Sequence, residues 1–129
     1  MKIASLLSGI VCVVALAGCA SKTAPVQNVD AAIAGQYTES QVKNAILSAG
    51  LARKWVMAPV APGVITGHVE RQGHSADIRI NYTAARYTIN YVNSQNLLAA
   101  NGVIHRNYNR WVNNLNRDIQ LKISAQNIQ

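Results

Sequence analysis

The chain has 129 residues, 50% of them hydrophobic, with 12 Lys and Arg against 5 Asp and Glu and a formal net charge of +7. That length accommodates one small domain beyond any leader. Both cysteines, Cys12 and Cys19, lie near the start, so the remainder holds neither a disulfide nor a thiolate metal site and must be stabilised by packing.

Met1 and Lys2 precede an apolar block from Ile3 to Leu16, interrupted only by Ser5, Ser8 and Gly9. The block is too short to span a bilayer stably and has the layout of a secretory signal peptide. It ends on Leu16-Ala17-Gly18-Cys19, and small residues directly before a cysteine resemble the lipobox of bacterial lipoproteins. The resemblance implies that the Cys19 thiol is diacylated, that residues 1–18 are removed, and that the new amine of Cys19 is acylated in turn. Cys12 follows the bulky, branched Val11 and reads as a small hydrophobe inside the discarded segment. Several acyl chains on one residue exceed the two-signal threshold for stable anchoring, each buried methylene contributing about 0.8 kcal/mol. Ala20, rather than Asp, follows the cysteine, which by the same resemblance implies sorting to the outer membrane, with the domain facing the periplasm.

Residues 19–37 then read as the lipidated cysteine and a flexible tether, because ASKTAPVQNVDAAIAGQY is small and polar, carries one proline and shows no periodic apolar face. Residues 38–129 are expected to form a single small domain. Thr38-Glu39-Ser40-Gln41 fits a capping box that opens a helix. Val42, Ala45, Ile46 and Ala49 give that helix one buried stripe, and Gly50 stands where a left-handed C-terminal cap is expected.

Trp55 to Pro59 is expected to be an edge strand, since Pro59 cannot donate to a ladder. The apolar period then becomes two. Val64 to Arg71, Ala76 to Tyr82 and Arg86 to Val92 each alternate apolar with polar residues and are expected to be strands. A two-residue turn at Gly73-His74 would set Val69 opposite Ile78 and Ile65 opposite Tyr82. A four-residue turn at Thr83 to Arg86 would set Tyr82 opposite Tyr87, Ile80 opposite Ile89 and Ile78 opposite Tyr91. Both hairpins place one apolar set on one face.

From Val103 to Gln120 the pattern is helical, with Ile104, Tyr108, Trp111, Val112, Leu115 and Ile119 sharing an arc of about 100°. Arg106, Arg110 and Arg117 cluster opposite that arc. The expected fold class is therefore α+β, an antiparallel sheet of three or four strands in a meander with two helices packed on one face. Trp55 and Trp111, in apolar company, are expected in the core.

Two groups of residues carry chemistry. His68, Glu70, Asp77 and Arg79 are expected as neighbours on the polar sheet face, where His with Asp or Glu supplies a base and its orienter, or zinc ligands. Their spacing matches no metal or catalytic signature, and a flat strand face lacks the concavity that excludes water and shifts a pKa. His74 and His105 lie in a turn and at a helix start, so no three-histidine metal site is expected. No serine sits in a nucleophile elbow and no glycine-rich phosphate loop follows a strand. The second group, Arg106, Arg110 and Arg117, presents three like charges on one helical face and suits an anionic surface: phospholipid headgroups, lipopolysaccharide phosphates or peptidoglycan carboxylates. Nucleic acid is excluded as a partner by the extracytoplasmic address, despite the basic balance.

RYTINYVNSQNL followed by IHRNYNRWVNNLNRDI also resembles the C-terminal half of small uncharacterised lipoproteins of Gram-negative bacteria, a resemblance that implies no particular activity. The expectation is a non-enzymatic, membrane-anchored periplasmic lipoprotein that needs no cofactor and binds or scaffolds an envelope component. The alternative is a small enzyme or metal-dependent sensor built on His68, Glu70 and Asp77. A third reading, a subunit of a larger assembly with another envelope protein, requires a partner over the polar sheet face or the edge strand.

Overall fold

A computed structural model describes residues 22–126. The leader expected over residues 1–18 and Cys19 itself lie outside the described residues. The elements run β1 (Thr23–Pro25), β2 (Val29–Ala32), α1 (Glu39–Ala52), β3 (Val56–Ala61), β4 (Val64–Arg71), β5 (His74–Tyr82), β6 (Arg86–Gln95), β7 (Val103–His105) and α2 (Arg106–Ala125). The fold is α+β and its sheets are antiparallel. Five strands pair in the order β2-β6-β5-β4-β3, and β1 pairs separately with β7.

The alternation read from the sequence builds the core directly. Ile65 and Val69 of β4, Ala76, Ile78, Ile80 and Tyr82 of β5, and Tyr87 and Ile89 of β6 are buried on one face. Val42, Ala45, Ile46 and Ala49 of α1 and Tyr108, Val112, Leu115, Ile119 and Ile123 of α2 join them in one cluster. Both helices reach that face: the Tyr87 hydroxyl donates to Asn116 of α2, Tyr108 meets Tyr91 edge-on, and Met57 of β3 lies against Gly50 of α1.

The second hairpin has the expected register, with Tyr82, Ile80 and Ile78 opposite Tyr87, Ile89 and Tyr91. In the first hairpin the turn is Gln72-Gly73 rather than Gly73-His74, so Arg71 faces His74, Val69 faces Ala76 and Ile65 faces Ile80. Both turn residues have positive φ, 52° and 83°, the combination that matches the right-handed strand twist of a two-residue hairpin. The slip is by two positions, which preserves the buried face.

Two larger corrections concern the ends of the domain. Much of the stretch expected as a tether is strand: β2 extends the meander β3 to β6 into a fifth strand, against β6, and β1 lies on β7. Side-chain amides complete the attachment. Asn109 of α2 accepts from the Gln27 N–H at 3.0 Å and donates to the Pro25 carbonyl at 2.9 Å, while Asn28 accepts from the Tyr91 N–H at 3.0 Å. Val103 to His105, expected as helix, is strand β7, so Ile104 enters the core from a strand and α2 begins at Arg106. Trp55 is buried, whereas Trp111 is only half-buried, its ring under the Arg71 guanidinium.

α1 starts as expected, with the Thr38 hydroxyl accepting from the Gln41 amide and the Gln41 side chain accepting from the Thr38 amide. Its end differs. Gly50 lies inside the helix, and the left-handed residue is Lys54, with φ 68°. The Trp55 N–H bonds the Gly50 carbonyl at 2.9 Å and the Lys54 N–H bonds the Leu51 carbonyl at 3.1 Å, a Schellman arrangement that buries Trp55. Gly50 is required instead by close approach, because a Cβ there would strike the Met57 side chain.

Two substitutions separate these roles in urea unfolding. Lys54→Gly removes the cost of a left-handed Cβ and is expected to stabilise the domain by about 1 kcal/mol. Gly50→Ala, which raises stability in an ordinary helix interior, is expected to lower it here by about 1–3 kcal/mol through overpacking against Met57.

Candidate functional site

The sheet face opposite the helices is uncovered by any described element. His68 on β4 stands across from Asp77 on β5, and Arg79 on β5 stands across from Thr66. The His68 Nδ1 lies 2.6 Å from the Asp77 carboxylate and its Nε2 lies 3.1 Å from that of Glu70. The expected neighbours His68, Glu70 and Asp77 are therefore brought together, with Arg79 exposed on the same face. A β-bulge between Asp77 and Ile78 leaves Val92 of β6 unpaired and exposed beside them. The result is a shallow, open depression of about 360 Å³ bordered by Val56, Thr66, His68, Asp77 and Val92.

Hydrogen bonding to Asp77 first, and to Glu70 second, raises the His68 pKa above its ordinary value of 6.5. Both ring nitrogens are engaged by carboxylates, and a ring that donates to both has no free lone pair for a substrate proton or a metal ion. The other histidines are occupied elsewhere. His74 Nδ1 meets the Asn96 carbonyl at 2.6 Å, and His105 Nδ1 accepts from the Asn107 N–H at 3.1 Å, capping α2. Among the described residues there is no group of three His, Cys, Asp or Glu placed to hold a metal ion.

On the other side of the domain, α2 turns Arg106, Arg110 and Arg117 outward as expected. The helical spacing of 100° per residue puts them within one narrow arc that also contains Asn113, Gln120 and the exposed Leu121, and no carboxylate. Arg110 donates to Asn107 at 2.6 Å and Arg117 to Asn114 at 3.2 Å, each reaching back one turn. The one acid on α2, Asp118, lies on the helix flank and is taken by Arg53, 2.6 Å away; this hydrogen bond holds its carboxyl below the usual range.

Beside the basic arc is a cleft of about 180 Å³ lined by Arg53, Arg71, Arg110, Trp111 and Asn114. Arg71 donates to the Arg53 carbonyl at 2.9 Å and lies 5.9 Å from the Trp111 ring centre. Three guanidinium groups thus converge from α1's end, from β4 and from α2. Sequence reasoning found only Arg110, because Arg53 and Arg71 meet it through tertiary packing that no local spacing encodes. A larger concavity, about 640 Å³, lies between the first turn of α1 and the β3–β4 turn. It contains none of the expected site residues.

The raised His68 pKa has a definite sign. Its stabilisation is fully present below about pH 6.5 and is lost as pH rises through the higher folded value. Asp77→Asn is expected to bring the His68 titration down towards the ordinary value, and Glu70→Gln to lower it less, both read by NMR of the imidazole. The stability difference between wild type and Asp77→Asn should shrink as pH rises through the wild-type His68 titration. Comparison of the chain with protein-family models gives no match, and comparison with curated proteins gives none either.

Proposed function

We propose that the protein is a lipoprotein held in the outer membrane through acyl chains on Cys19, and that its periplasmic domain binds or scaffolds an anionic component of the envelope without catalysing a reaction. The observation that carries the binding part is the outer arc of α2, where three arginines stand without a carboxylate among them. Guanidinium groups on a fixed helical face match phosphate or carboxylate groups in geometry as well as charge. The anchoring part is supported by the charged start, apolar run and small residues before Cys19. No described helix is long and apolar enough to cross a membrane.

Against catalysis stands the chemistry of the other face. His68 is saturated by its two carboxylates, and the surrounding sheet surface is too open to exclude water. Phospholipid headgroups, lipopolysaccharide phosphates, peptidoglycan carboxylates and an acidic envelope protein all fit the basic arc chemically.

The test is the intact mass and membrane fractionation of the protein from native cells, beside Cys19→Ala. Wild type is expected to carry acyl mass and to sediment with outer membrane, and Cys19→Ala to be released in soluble form. A soluble, unmodified wild type would overturn the anchor.

A further inference from the structure

We infer that the anchored domain lies flat on its own leaflet, with Arg106, Arg110 and Arg117 against phospholipid phosphates and the open sheet face turned away from the bilayer. This inference rests on the acylation of Cys19 proposed above, and adds an orientation and a contact surface to it.

The first argument is the length of the connection. The Lys22 carbonyl accepts from the Arg106 N–H at 3.1 Å, and Thr23 is in register with His105. Only three residue steps separate Cys19 from Lys22, a reach of at most about 11 Å. The acylated residue is therefore confined near the start of α2, a helix whose 20 residues extend about 30 Å. A domain on so short a connection cannot stand off from the membrane, and one of its surfaces has to meet the headgroups.

Charge selects the surface. Near the attachment lie the exposed Lys22 and the outer arc of α2, on which Arg106 and Arg117 are about 16 Å apart along the axis. That arc carries no Asp or Glu, and the exposed Leu121 adds an apolar contact at its far end. The opposite sheet face is nearly balanced, with Asp30, Glu70 and Asp77 beside His68, Arg79 and Arg86, and so offers an anionic surface no comparable attraction. An end-on pose brings only Lys22 and Arg106 to the headgroups. The flat pose adds Arg110 and Arg117, each favouring it by about fivefold at an anionic surface.

The test uses the acylated protein reconstituted in vesicles of phosphatidylethanolamine and phosphatidylglycerol. Acylation blocks Cys19, so a reporter introduced by Asn113→Cys on the arc, or by Asn81→Cys on the open sheet face, is the only free thiol. A paramagnetic lipid labelled at the headgroup is expected to quench a fluorophore at position 113 several-fold more strongly than one at position 81. The triple variant R106Q/R110Q/R117Q, with its helical signal unchanged, should bring the two positions towards parity. Equal quenching in the otherwise wild-type protein, or stronger quenching at position 81, overturns the flat pose and leaves the anchor standing if the sample shows acyl mass. A sample without acyl mass overturns the anchor and the pose together.

Discussion

The side-chain amide of Asn109 gives the segment before α1 what a neighbouring strand would give it: an acceptor for the Gln27 N–H and a donor for the Pro25 carbonyl. With β1 on β7 at one side and β2 on β6 at the other, this amide fixes the path of the chain from Lys22 to Ala32. The rest of the arrangement depends on that path. It brings the N-terminal side of the domain to the start of α2, and hence to one end of the basic arc. A free linker in the same place would leave the arc and the N-terminal end of the domain unrelated.

The two faces of the domain divide its charge. On the helix side, Arg106, Arg110, Arg117 and Lys122 outnumber Asp118, which Arg53 already engages. On the sheet side, charges are balanced locally: His68 between Glu70 and Asp77, and Arg86 with Asp30 at 2.6 Å. Exposed pairs of this kind contribute little to stability, and their effect is to leave one face nearly neutral while the outer arc of α2 is basic.

What could be read from the sequence was whatever local periodicity controls. The alternation in β4, β5 and β6 and the stripe on α2 follow from burial on one side, and the polar cluster at His68 followed from strand parity alone. The segment from Thr23 to Ala32 gave no such signal, because its strands have three and four residues and draw their partners from β6, β7 and Asn109. Gly50 misled in a different way: a glycine near a helix end suggests a cap, yet its reason is the Met57 side chain from β3. The arginine cleft was equally silent, since Arg53, Arg71 and Arg110 are joined only once α1, β4 and α2 have packed.

The Asn109 clamp also shapes how the domain can assemble in time. Gln27 and Asn109 are 82 residues apart, so the loop that their hydrogen bond closes contains both hairpins and α1. Closing a loop that long costs chain entropy before any contact is returned, whereas the β4–β5 and β5–β6 hairpins close locally. In a chain made from its N-terminus, Thr23 to Ala32 come first, yet β2 waits for β6, β1 waits for β7, and the amide clamp waits for α2. The segment that comes first in the chain is thus the last to be fully held, once Asn109 closes on Gln27 and Pro25.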